Sequence, residues 1–261
     1  MKLKVLVVYF ILLSYSVYPQ DTKNRIDDNG LKQGYWEKRY PNGHLMYKGI
    51  FKDNEPVGEF IRYFENGEIK AKMSYEGNNY VYTMFFAQNG KLSAEGYYLN
   101  KEKEGVWVFY NDLNDSISAH IKYVMGKKDG KTYRYYENGK ILEEKTYNND
   151  TLDGVWRKYF ENGQVMTEVM YNQGKLNGPF NAYFLNGRLE ITGFYKKGVR
   201  DGTWKHYDNY GKLINKIEYR DGQPINKEEL ELESTKELEE LERKSQQYLE
   251  PEKEFMNEYY K

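Results

Sequence analysis

A segment of about 24 residues recurs from residue 34 to residue 224, and this repeat constrains the fold more than any other feature of the chain. Successive copies start 24 or 25 residues apart, except for one interval of 47 residues that holds two copies. The second copy in that interval starts near residues 79–81 without its glycine. The other copies open on a glycine: Gly34, Gly58, Gly105, Gly130, Gly154, Gly178 and Gly202. The chain therefore contains eight units of one structural motif.

Aromatic residues recur at two fixed positions in these units. The first row stands two residues after the opening glycine: Trp36, Phe60, Trp107, Trp156, Phe180 and Trp204. The second row lies three residues further on: Tyr63, Tyr110, Tyr135, Tyr159, Tyr183 and Tyr207. Alternate residues of a strand point to opposite faces, so an odd separation predicts that the two rows lie on opposite faces of a sheet.

Each unit also carries the pattern of a β-hairpin. Six units have Asn-Gly after the aromatic residues, a pair that favours a type I′ turn, and an apolar return strand follows, as in Val165 to Tyr171. A single hairpin is only marginally stable in water, so the units are expected to stack. The sequence therefore predicts an all-β fold, an elongated antiparallel β-hairpin repeat sheet of about eight units with a C-terminal α-helical tail. Unit three lacks the usual glycine and tryptophan, and unit four is expected to have a looser turn over residues 111–115.

The pattern Gly-x-Trp-x-x-Tyr-Tyr-x-Asn-Gly-x-Leu resembles the bacterial MORN-repeat variant family, and the resemblance covers Gly34 to Pro224. Proteins that look like this are often catalogued as antitoxin components of toxin–antitoxin systems. Related repeats serve as scaffolds or as binding surfaces close to membranes. The resemblance thus implies a stacked hairpin array and a binding role.

The termini differ in composition from the array. Lys2 and Lys4 before an apolar run predict a signal peptide over residues 1–20, cut between residues 16 and 20, although a buried N-terminal strand is the alternative. Residues 21–33 are assigned to a linker and residues 34–224 to the array. Residues 225–261 are predicted to form an acidic helical tail, in which twelve acidic and six basic residues beyond residue 225 give a net charge of −6. This tail either caps the sheet or remains available to a partner.

Composition excludes several kinds of chemistry. The chain has no cysteine and only three histidines, His44, His120 and His206, without metal-ligand spacing, so we expect no metal, no cofactor and no enzymatic activity. His206 is conceivable as a general base, but a polar residue on a half-exposed strand is much the stronger interpretation, because no Ser, Thr or Lys partner recurs at a matched position. With a net charge of −1, the chain is not expected to bind nucleic acid. The mature chain is expected to have no transmembrane segment and to reside in the periplasm, cell envelope or extracellular space.

The two aromatic rows receive different functional interpretations. The row of Trp36, Phe60, Trp107, Trp156, Phe180 and Trp204 is predicted to pack the repeats together. On the opposite face, exposed tyrosines suit protein contact or carbohydrate stacking. The predicted binding residues are Tyr63, Tyr135, Tyr159, Tyr183 and Tyr207. Interleaved basic residues such as Arg157 and Lys205 favour an anionic ligand, whereas the mixed charge elsewhere weighs against one.

We therefore expect an exported, non-enzymatic interaction or scaffold module that binds protein or glycan along an extended aromatic face. The alternative is an antitoxin-like inhibitor that acts on a partner protein through one local site. Loss of binding spread over several units would favour the first function.

Overall fold

A computed structural model describes residues 23–225 together with residues 239–240, 243–244 and 246–249. In residues 23–225 each strand is hydrogen-bonded antiparallel to the next one along the chain, which makes one open meander of 18 strands. The strands are β1 (Arg25–Ile26), β2 (Lys32–Arg39), β3 (Leu45–Lys52), β4 (Glu55–Tyr63), β5 (Ile69–Gly77), β6 (Tyr80–Phe86), β7 (Leu92–Leu99), β8 (Glu102–Tyr110), β9 (Ile117–Val124), β10 (Lys127–Tyr135), β11 (Ile141–Asn148), β12 (Thr151–Tyr159), β13 (Val165–Asn172), β14 (Lys175–Tyr183), β15 (Leu189–Lys196), β16 (Val199–Tyr207), β17 (Leu213–Arg220) and β18 (Gln223–Pro224). The predicted all-β hairpin sheet is confirmed.

The eight predicted units are the eight hairpins that start at β2, β4, β6, β8, β10, β12, β14 and β16. Within the segment assigned to a linker, Arg25–Ile26 forms β1 and pairs with β2. The predicted signal peptide over residues 1–20 lies outside the described residues. The same is true of most of the predicted helical tail, although residues 239–240, 243–244 and 246–247 are helical.

The turn type predicted for the Asn-Gly pairs is wrong. In the hairpin of β12 and β13, Gly163 has a φ of 91°, but Asn162 is not among the residues of positive φ. The Gly163 N–H donates to the carbonyl of Phe160 at 2.8 Å. A type I′ turn needs two residues of positive φ, and this turn has only one. A turn that ends on a single left-handed glycine is typical of a three-residue hairpin loop.

The asparagine of this turn contributes a hydrogen bond from its side chain. Asn162 Oδ1 accepts a hydrogen bond from the backbone N–H of Gln164 at 2.9 Å. The last unit has Tyr210-Gly211 instead, and there Asp208 Oδ1 accepts from the N–H groups of Tyr210 and Lys212, each at 2.9 Å. An Asx side chain therefore closes the loop in both cases, so the last unit keeps the geometry without the Asn-Gly pair.

Turns with two positive φ values lie between the units instead. Gln173 and Gly174, with φ of 48° and 77°, connect β13 to β14 in a two-residue loop. Asn149 and Asp150, with φ of 48° and 64°, connect β11 to β12 in the same way. The turn with two positive φ values, which the sequence predicted within each hairpin, thus joins one hairpin to the next.

The opening glycine lies inside a strand rather than in a connection. Lys145 pairs with Trp156 and Tyr147 pairs with Leu152, so β12 carries two more residues than β11 over this stretch. Gly154 stands in this bulge with a φ of 119°. This positive φ serves to bend the strand and not to close a turn.

The two irregular units keep the same pairing. In unit three, Thr83 occupies the position of the missing tryptophan, opposite Met73 and Gly96, and is fully buried. In unit four, the backbone N–H of Asn111 donates to the carbonyl of Ser116 at 2.8 Å, which closes the longer turn that the sequence predicted.

The core is a single layer of aromatic rings that interlock between units. Phe180 of β14 and Trp204 of β16 stack at 5.3 Å between ring centroids, although β15 lies between their strands. Gly193 of β15 makes this contact possible, since a Cβ there would lie 2.2 Å from the Trp204 ring. The larger core cluster consists of Trp156, Val169, Phe180, Ala182, Ile191, Tyr195, Trp204, Ile217 and Tyr219.

Candidate functional site

The sheet has two faces with distinct chemistry. We call the face that carries the row from Trp36 to Trp204 the Trp face, and the opposite one, with the row from Tyr63 to Tyr207, the Tyr face. Their separation is seen at two consecutive residues of β11. Glu143 accepts a hydrogen bond from Trp156 Nε1 at 2.7 Å, whereas Glu144 accepts one from the Tyr159 hydroxyl at 3.2 Å.

The Trp face buries its rings under its own side chains and under the tail. Trp107, Phe180 and Trp204 are fully buried, while Trp36 is half-buried. Phe60 and Trp156 are also buried. These positions place the whole row in or beside the core.

Long cationic side chains cover part of this face. Lys103 Nζ lies 4.7 Å from the ring centroid of Trp107 and 5.0 Å from that of Tyr123. Burial, and secondarily the charge of Lys128, lowers the pKa of Lys103 to about 8. A lysine stem thus shields the rings from water, and cation–π attraction offsets part of the desolvation of its ammonium group.

The described part of the tail covers the Trp face near the last units. Lys244 forms an ion pair with Glu190, and its ammonium lies 5.9 Å from the centroid of the Phe184 ring. The Tyr248 hydroxyl donates to Glu190 at 2.5 Å, and Leu249 packs against the larger core cluster. These contacts favour the cap over a tail free of the sheet.

His206, the conceivable general base, belongs to this covered region. It is 2% exposed, and neither ring nitrogen has a hydrogen-bond partner among the described residues. Burial, assisted by the charges of Arg200 and Lys244 against that of Glu190, lowers the pKa of His206 to about 4. Its environment is that of a neutral core side chain.

On the Tyr face, three tyrosines repeat one contact across unit boundaries. Each hydroxyl meets the side chain that precedes it by 15 residues, on the return strand of the preceding unit. The pairs are Tyr110 with Glu95 at 2.6 Å, Tyr135 with His120 Nδ1 at 2.8 Å, and Tyr159 with Glu144 at 3.2 Å. The Tyr face therefore has its own cross-strand network, which the sequence reasoning missed; the recurring separation of 15 residues is the signal that reveals it.

The tyrosines of this network are neutral phenols. Burial, and then the hydrogen bond to Glu95, raises the pKa of Tyr110 to about 12. Burial, and then the charge of Glu144, raises the pKa of Tyr159. For Tyr183, burial and the charge of Glu168 act in the same direction on the pKa. The hydroxyls are thus held by the sheet, which leaves the half-buried rings as the surface for a ligand.

The remaining predicted binding residues are placed on the same face. Tyr183 and Tyr207 are half-buried near the C-terminal end of the array, and Tyr63 is half-buried near its start. Of the basic residues on β12, Arg157 lies on the Tyr face and contacts Glu168. By contrast, the next residue, Lys158, pairs with Glu143 in register and lies on the Trp face.

The Tyr face also carries an open concavity over β8, β9 and β10, with a volume of about 430 Å³. Sequence reasoning did not select this place, because it weighed each unit separately and not what neighbouring units bring together. The lining residues are Val106, His120, Lys122, Lys131, Tyr133 and Tyr135.

The charges around the concavity are unevenly paired. Lys131 Nζ lies 2.7 Å from Glu144 Oε1, and Arg157 lies 3.8 Å from the other oxygen of the same carboxylate. Burial opposes ionisation of Glu144, but the hydrogen bond and charge of Lys131 outweigh it and lower its pKa. Lys122 forms no ion pair with any residue that the structure describes. The concavity therefore presents one uncompensated ammonium group.

Two other features of a functional site are absent from the described residues. Over residues 23–225 and the described tail residues, no three side chains of His, Asp or Glu are grouped so that they could hold a metal ion. Within that same part of the chain, no helix has the length and apolar character needed to cross a membrane.

An open antiparallel sheet of similar hairpins, with an aromatic row on each face, defines a β-hairpin repeat protein. The sequence model of the MORN repeat variant family matches five segments of the chain, residues 32–53, 56–76, 128–149, 152–173 and 200–221. These five segments therefore match the repeat of that family, as the resemblance predicted. Units three, four and seven are not matched, yet they form the same hairpins. A comparison with curated proteins returned no match.

Proposed function

We propose that this protein is a non-enzymatic binding or scaffold module that holds an extended protein or glycan partner along its Tyr face. The observation that carries the proposal is the row of Tyr110, Tyr135 and Tyr159, whose hydroxyls are fixed in one repeated contact. Two strand spacings separate successive units, so the rings recur about every 10 Å along the face. Rigid, half-buried rings at equal steps suit an extended partner, because little side-chain entropy is lost on binding.

Site-directed photo-crosslinking tests this function. A benzophenone amino acid would replace Tyr159, Tyr183 or Tyr207, one at a time, in the cells that produce the protein. The control position is Leu113, which is 79% exposed in the turn of unit four. We expect one adduct of the same mass at two or more of the tyrosine positions and none at position 113.

Other patterns of crosslinks point elsewhere. Adducts confined to a single tyrosine position would favour the antitoxin-like inhibitor with one local site. Adducts at position 113 without any on the Tyr face would refute binding along this face.

We also propose that the chain is exported, on the strength of Lys2, Lys4 and the apolar run that follows them. Mass spectrometry of the native protein should then find an N-terminus between residues 17 and 21. An intact Met1 in a cytoplasmic fraction would contradict export.

A further inference from the structure

We propose that the concavity over β8, β9 and β10 is a subsite for an acidic saccharide. In this arrangement the face of a uronic acid ring packs on Tyr133 and Tyr135, and Lys122 binds its carboxylate. The inference rests on the proposed function and names the ligand class of one place on the Tyr face.

The register of two strands builds the subsite. Lys131, Tyr133 and Tyr135 are alternate residues of β10 and therefore share a face, spaced by about 6.6 Å. Tyr133 pairs with His120 of β9, so the aromatic and basic side chains of the two strands lie side by side. A hydrogen bond and an edge-to-face contact with His120, with ring centroids 5.2 Å apart, hold Tyr135 in place.

The charges at the concavity favour an anionic ligand. Glu144 already neutralises Lys131, whereas the exposed Lys122 has no carboxylate partner among the described residues. Val106, which is 55% exposed, adds apolar surface beside it. A ligand that offers both a C–H-rich ring face and a carboxylate satisfies the two kinds of surface together.

The middle of the sheet disfavours a peptide at the same place. β9 is hydrogen-bonded to β8 on one side and to β10 on the other, so it offers no free strand edge. An added peptide strand needs such an edge for its main-chain hydrogen bonds. A volume of about 430 Å³ lies within the usual range for small-ligand sites, which suits one or two sugar residues.

Isothermal titration calorimetry with the full chain tests the subsite. The probes are the tetramers of galacturonate and mannuronate, with the methyl ester of each as a matched neutral ligand and hexaglutamate as an acidic peptide. The variants are Lys122→Ala, Tyr133→Ala and Tyr133→Phe. Lys212→Ala is the control, since Lys212 is exposed in the turn of the last unit and lies outside the Tyr row.

We expect at least one uronate tetramer to bind, and its methyl ester to bind about tenfold more weakly, the effect of one charge-assisted hydrogen bond. Lys122→Ala and Tyr133→Ala should cause losses of that size. Tyr133→Phe, which keeps the ring, should lose less than Tyr133→Ala, and Lys212→Ala should bind like the wild type. Thermal melts of each variant separate loss of binding from loss of fold.

Three results would overturn the inference: no binding of either tetramer, equal binding of acid and ester, or hexaglutamate binding as tight as that of the uronates. None of these would refute the proposed function, because crosslinks at positions 159, 183 and 207 do not depend on this subsite. Conversely, uronate binding here without crosslinks along the Tyr face would support the local saccharide subsite and refute binding of an extended partner.

Discussion

At the scale of the residue, Gly193 shows how a one-layer sheet buries large rings. It pairs with Phe180 on one side, and Trp204 lies over it from the other. Gly49 of β3 and Gly96 of β7 occupy the same position in units one and three, beneath Phe60 and Trp107 respectively. A missing side chain on the middle strand lets rings of the flanking strands meet. The sequence shows that these glycines recur at one position of the repeat. Their role could not be predicted, because it depends on contacts between rings of neighbouring units.

Replacement of Gly193 by alanine should therefore destabilise the protein. The new Cβ would lie 2.2 Å from the Trp204 ring, and overpacking of this kind costs about 1–3 kcal/mol. Urea denaturation should show a smaller cost in a Trp204→Leu background, because the clash is then removed. Equal costs in both backgrounds would contradict the proposed contact.

His206 should make stability depend on pH. Its folded pKa of about 4 lies below the usual 6.5, so the unfolded chain binds the proton more readily and stability falls as pH decreases from about 6.5 to about 4. Between pH 7 and pH 5 the loss should be about 2 kcal/mol. The variant His206→Leu should lose less over the same interval in urea denaturation; identical losses would show that His206 is not responsible.

At the scale of the element, the hairpin was predictable and its turn type was not. Asn162 and Gly163 match both the two-residue type I′ turn and the three-residue loop in composition. Pairing decides between them, because Tyr159 lies opposite Val165 and leaves room for the longer loop. The turn with two positive φ values lies instead at Gln173 and Gly174, a pair that is less typical of a type I′ turn than Asn-Gly.

A β-branched residue at position 163 should be costly, since Gly163 has a φ of 91°. We expect Gly163→Val to destabilise by about 1–3 kcal/mol, and Gly163→Asn by less because asparagine tolerates positive φ better. Thermal melts measure both. If the valine variant melted like the wild type, the left-handed glycine would not be needed in this turn.

At the scale of the whole molecule, the array is a one-dimensional stack in which each hairpin contacts its neighbours. The Tyr row could be placed on one face from its odd spacing to the Trp row, and the structure puts it there. The concavity could not be predicted, because His120 of β9 and Tyr133 of β10 come from different units. A cap was one of the two roles expected of the tail, but its position over Glu190 could not be predicted, because it depends on where the tail folds back.

A stack of this kind should tolerate loss of a whole unit. Deletion of residues 154–177 joins two positions of equal register, so a folded protein one hairpin shorter is expected. Circular dichroism should show an unchanged β signal with a cooperative melt. An unfolded product would contradict the repeat boundaries.

In the proposed function, the tyrosine rings of several units bind one extended partner. The most direct measurement is calorimetry of the crosslinked partner, once identified, against the double variant Tyr159→Ala/Tyr183→Ala. Tyr159→Phe/Tyr183→Phe keeps the rings, and His206→Leu changes a residue outside the Tyr face. We expect binding about tenfold weaker or worse for the alanine pair, with wild-type binding for the other two variants. Binding kept without the tyrosines and lost in His206→Leu would contradict it.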